Sequence, residues 1–147
     1  MSPVRRLLLL VLVLGMSGTL VDLLLLSHYE DTAQLIPIGL LAAAILIAIV
    51  HGIRPTGLNV RALQGVMLSV LVAGVAGVGF HFNGAAGFQL EIDPSQTWWE
   101  VAKKVVRAQS PPVLAPGAML QLGLIGLVYT FRHPVIGKDR AFEEVNI

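Results

Sequence analysis

Long apolar runs separated by short polar links dominate the chain. Four stand out, at about residues 7–27, 35–53, 62–81 and 113–131, each near the roughly 20 apolar residues that cross a bilayer as a helix. Backbone amides in hydrocarbon must find partners inside their own segment, so each run is predicted to be an α-helix. The runs are about twice as long as a barrel strand needs. Arg5-Arg6 followed by LLLLVLVLG resembles the start of a secretory signal peptide, but the apolar run continues past Gly15 and Gly18 without a small-residue cleavage site. It is read as a retained span. The predicted fold is all-α integral membrane, a four-transmembrane-helix bundle forming one domain over 1–147.

The links carry their own patterns. SHYEDTAQ, between the first two runs, is short enough to make them an antiparallel hairpin, and Asp31-x-x-Gln34 has the form of a helix cap. Pro37 then falls inside the second helix. The segment 82–112 is long. Asn83-Gly84 marks a turn, FQLEID alternates as an extended segment would, and TWWE has the form of a capping box opening a short amphipathic helix over about 98–109. That helix sets Trp98, Ala102 and Val105 against Lys103, Lys104 and Arg107, and Trp98 and Trp99 suit the membrane interface as anchors. Pro111-Pro112 ends it, and 132–147 is a polar tail.

Composition narrows the class. Of 147 residues, 55% are hydrophobic and 13% charged, about half the charge of an ordinary soluble domain. There is no cysteine, which excludes disulfides, thiolate metal sites and thiol redox chemistry. A net charge of +1 with scattered basic residues argues against a nucleic-acid partner. Charge then orients the spans. Arg5, Arg6, Arg54, Arg61, Arg132, Lys138 and Arg140 fall on one side; Glu30, Asp31, Glu91, Asp93 and Glu100 fall on the other with Lys103, Lys104 and Arg107. The positive side is expected to be the cytoplasm, with both termini inside a bacterial inner membrane.

Few residues can carry chemistry. Asp22 is an acid inside the first run that either points into the bundle, with Gln121 of the fourth run a partner there, or sits near the outer interface, about a turn and a half from Ser27, bonding a serine, threonine or water. In the third run Gly65, Ser69, Ala73, Gly77 and His81 recur every four residues, a small-residue ridge on which another helix can pack closely. A glycine four before a histidine also leaves room for a tetrapyrrole, with His81 as axial ligand. His28, Glu30, His81 and Glu91 all belong to the outer face and form a candidate set for a divalent metal, either as ligands or with the acids orienting the imidazoles. Interfacial decoration explains the same residues equally well. His51 and His133 lie at the opposite face and read as isolated interfacial histidines.

No nucleophile–base pair, phosphate-binding glycine loop or HExxH motif is present, so an enzyme is not expected. The leading expectation is an accessory subunit or assembly factor of an electron-transfer, photosynthetic or transport complex, with the bilayer and other membrane proteins as partners. The alternatives are a metal- or tetrapyrrole-binding membrane protein and a small homo-oligomeric transporter or channel.

Overall fold

The computed structural model describes residues 2–107 and 114–136. The Pro111-Pro112 stop, the end of the short amphipathic helix and most of the tail lie outside the described residues. Helices α1 (Pro3–Leu25), α2 (Thr32–Ile53), α3 (Gly57–Ile92), α4 (Trp98–Val106) and α5 (Leu114–Thr130) follow in order, with no strand among the described residues. Four helices, α1, α2, α3 and the one begun by α5, are long and apolar enough to cross a membrane.

Helix starts obey the sequence. Ser2 accepts from the Arg5 amide before Pro3, and Thr56 accepts from the Asn59 amide at the head of α3. Gln34 reaches back from α2, its Oε1 accepting from the Glu30 and Asp31 amides at 3.0 and 3.3 Å. Each satisfies amides that the first helical turn leaves unbonded.

The four long helices form a ring in the order α1, α2, α3, α5; backbones of the diagonal pairs, α1 with α3 and α2 with α5, do not approach closely. The core draws Leu9, Leu12 and Met16 from α1, Leu41, Ala44 and Ala48 from α2, Leu63, Met67 and Val70 from α3, and Met119 and Leu122 from α5. Those positions fall at helical spacing, while leucines such as Leu14 and Leu46 point outward. An exterior this apolar matches hydrocarbon rather than water.

The tightest seam joins α3 to α5 antiparallel. Met67 faces Gly126, Leu71 faces Gly123, Gly74 faces Leu120 and Pro116, and Gly77 faces Pro116. A β-carbon added at Gly123 would lie 2.7 Å from the Leu71 amide nitrogen, and one at Gly74 would lie 2.7 Å from that of Leu120. The expected ridge is therefore only partly the seam. Gly77 takes part, but Gly65 and Ser69 are exposed, and nothing would meet a β-carbon at Gly65. A strict four-residue step turns about 400°, so it drifts about 40° per step around the helix. Starting from the exposed Gly65, the ridge winds into the interface and reaches it at Gly77.

The segment after Phe82 departs most from expectation. α3 does not stop near residue 81 but continues unbroken to Ile92, through Asn83-Gly84 and FQLE. No glycine among the described residues adopts positive φ, so the Asn-Gly pair makes no turn. Six alternating residues cannot outweigh a growing helix whose next residues include Ala85 and Ala86 and whose side gains a partner. That partner is α4: Val101 and Val105 pack on Ala86, Ala85 and Phe82. Its buried face is therefore Val101 and Val105, while Trp98 and Trp99 stay 61% and 67% exposed.

Candidate functional site

At the end bearing the acids, two of the predicted ligands come together. α1 ends in a left-handed residue, Ser27, with φ 52°. The His28 amide bonds Leu23 O at 2.9 Å and the Ser27 amide bonds Leu24 O at 3.1 Å, the paired closure that usually employs glycine. This reversal carries the half-buried His28 over to α3, where its ring lies 6.0 Å from that of His81 at an interplanar angle of 30°. Partial burial and then the neighbouring His81 hold the His28 pKa below the usual imidazole value.

The carboxylates do not complete the set. Because α3 continues as helix, Glu91 lies ten residues beyond His81, about 15 Å along the axis. Glu30 is exposed in the link. Among the described residues no group of three or more His, Asp or Glu side chains is placed to hold a metal ion. Gly77, four before His81, is occupied by Pro116, which lies 3.0 Å from where its β-carbon would be; the space a flat macrocycle would need there is filled by α5. Asp22 and Gln121 do not meet either. Both are exposed, Asp22 in the last turn of α1 and Gln121 partway along α5. The small residues that bring α5 close to α3 leave no room for Gln121 between them.

The buried polar groups instead gather at the arginine-bearing end, where the pattern suggested only isolated histidines. His51 and His133 are buried. His51 Nε2 and the Tyr129 hydroxyl share a 2.9 Å hydrogen bond. The His51 and His133 rings stand 5.1 Å apart, edge to face, and Tyr129 is 5.7 Å from His133. Arg132, again left-handed with φ 45°, turns the chain at the end of α5 and puts His133 under the bundle. His51 Nδ1 and His133 Nε2 are buried without a hydrogen bond among the described residues.

This cluster finishes α5. The last carbonyls of a helix have no partner of their own, and in a membrane each must be supplied. Leu127 O accepts from the Phe131 amide at 3.0 Å and from the Thr130 hydroxyl, and Val128 O accepts from the Phe131 amide at 3.2 Å. Arg5 Nη1 of α1 donates to Tyr129 O at 2.7 Å. Thr130 O takes the His133 amide and, at 3.4 Å, Gln64 Nε2 of α3. Side chains from α1, α2 and α3 thus converge on one helix end. The signal in the sequence was positional: a histidine, a tyrosine and a second histidine all fall where spans end on the arginine side.

No known protein family, curated protein or solved structure matches the chain.

Proposed function

We propose that the chain is an accessory or assembly subunit of a larger membrane complex, a multi-pass bacterial inner-membrane protein with both termini cytoplasmic. The observation that carries this reading is Gln121. It lies about 10 Å inside α5 from Leu114, is exposed, and its side-chain amide makes no hydrogen bond among the described residues. A primary amide turned toward hydrocarbon is costly, and across membrane helices such groups serve as glue. Gly65 and Ser69, exposed on α3, give a neighbouring helix a surface of small side chains. Trp98 and Trp99 on α4 suit the headgroup region and would fix the depth of the subunit.

A photo-crosslinker at position 121, activated in intact membranes, tests this. Adducts to a different integral membrane protein support an accessory subunit. Adducts only to a second copy of the chain favour a homo-oligomer, and adducts only to lipid overturn the reading.

The proximity of His28 and His81 favours a second reading, an outer-face site for a divalent metal with two imidazole ligands and the remaining positions filled from outside the chain. Stoichiometric metal in purified protein, lost in His28→Ala and in His81→Ala, would support it; a metal-free preparation after growth in zinc, copper or iron would count against it.

A further inference from the structure

The adjacent residues Arg5 and Arg6 are used differently. Arg5 turns inward and is bound to Tyr129 O. Arg6 is exposed; its backbone amide donates to Ser2 O, but its guanidinium has no hydrogen bond or ion pair among the described residues. It helps line an open groove of about 470 Å³ between the first turns of α1 and the end of α2, together with Leu9, Leu10, Gly52, Ile53 and Pro55. The volume falls within the roughly 300–1,000 Å³ of small-molecule sites. The groove exists because α2 carries no side chain at Gly52 and breaks off before Pro55.

One cation above an otherwise hydrocarbon lining is the complement of an anionic amphiphile. The surroundings have the same sign: Arg5, Arg6, Arg54, Arg61 and Arg132 lie at this end, and no Asp or Glu does among the described residues. A soluble anion would gain nothing from Leu9, Leu10 and Ile53, and a neutral lipid nothing specific from Arg6. We infer that this groove binds one anionic phospholipid from the adjacent leaflet, its phosphate on Arg6 and the upper part of an acyl chain along Leu9, Leu10 and Ile53. Basic sites between membrane helices capture headgroups in this way.

The test is native mass spectrometry of the full chain, delipidated in dodecyl maltoside and titrated with phosphatidylglycerol or with phosphatidylcholine of the same acyl chains. The expected result is about fivefold tighter binding of phosphatidylglycerol, in line with the contribution of one basic residue. Arg6→Gln should abolish that preference and Arg6→Lys should keep it. Arg61→Gln removes the same charge outside the groove and should leave it intact. Gly52→Leu, whose β-carbon would meet only the tip of Leu9 at 3.3 Å, should fill the groove and lower lipid adducts severalfold with little change in melting temperature. Equal binding of the two lipids, loss of the preference in Arg61→Gln, or undiminished binding in Gly52→Leu would overturn the inference. So would displacement of the lipid by inorganic phosphate at equal concentration.

Discussion

His51 Nε2 and the Tyr129 hydroxyl meet at 2.9 Å, joining α2 to α5 although the backbones of these two helices do not approach. The bond spans the diagonal of the ring, in the layer where Arg5 and Gln64 close the carbonyls of α5. Tyr129→Phe keeps the ring but leaves His51 with neither nitrogen bonded. The expected loss is about 1–3 kcal/mol, the cost of an unsatisfied buried polar group, seen as a lower melting temperature in detergent. His51→Phe with Tyr129→Phe should be less destabilising than the sum of the two single changes, because it removes both partners of the bond.

The α3–α5 seam separates glycines by what they face. Gly123→Ala presses a methyl group onto the Leu71 backbone, which cannot yield without moving the helix, and should cost about 1–3 kcal/mol. Gly126→Ala meets the side chain of Met67, flexible enough to rearrange, and should cost less. Gly65 is exposed and a β-carbon there meets nothing, so Gly65→Leu should stay within about 0.5 kcal/mol, while weakening any association that uses that face. Thermal unfolding of the three variants under one condition checks the order.

The turn into α4 should be acid-labile. Glu100 Oε2 accepts from the Thr97 amide at 2.9 Å and from the Thr97 hydroxyl at 2.8 Å, and these bonds hold its pKa below the usual value. Asp93 is held down likewise by the Ser95 hydroxyl and amide. Both pKa values are depressed in the folded state, so the stabilisation is complete above the ordinary carboxylate pKa of about 4 and is lost as pH falls further. Fluorescence of Trp98 and Trp99 should report loosening of α4 in that window. In Glu100→Gln the Glu100 share of the acid transition should vanish while the cap persists, since glutamine serves at the same position.

His28 should titrate below 6.5, the ordinary imidazole value. A depressed histidine contributes stability that is present above that value and lost as pH falls through the folded pKa. His81→Ala removes the like-charged neighbour but leaves most of the burial, so the His28 pKa should rise part of the way back. Imidazole proton shifts in NMR follow both; an unchanged His28 pKa in His81→Ala would mean that the two rings do not sense each other.

The four spans and two of the helix caps were legible because they depend on neighbours in sequence: apolar run length for the spans, and three-residue spacing for Asp31 with Gln34 and Thr97 with Glu100; α1 and α3 start at Pro3 and Gly57, before their apolar runs. The convergence of His51, Tyr129 and His133 was not, because it depends on which helices share a corner and on Arg132 adopting positive φ, a conformation that no residue type there announces. Ser27 hides the placement of His28 in the same way. FQLEID departs from its extended pattern for a related reason. Its alternation is local, whereas the surface that favours helix there comes from Val101 and Val105, further along the chain. Of the candidate quartet, the two histidines come together, while the continued rise of α3 carries Glu91 away from His81 and Glu30 stays exposed in the link.

That helix has a mechanical consequence. At 36 residues α3 is about 54 Å long, against a hydrocarbon slab of about 30 Å. One rigid rod therefore runs from the buried seam with α5 to the acidic hairpin built with α4. A force applied to the hairpin has no hinge in which to dissipate. It tilts the rod, and the first contacts to feel the torque are Gly74 and Gly77 against Pro116, where α3 and α5 touch most closely near that end.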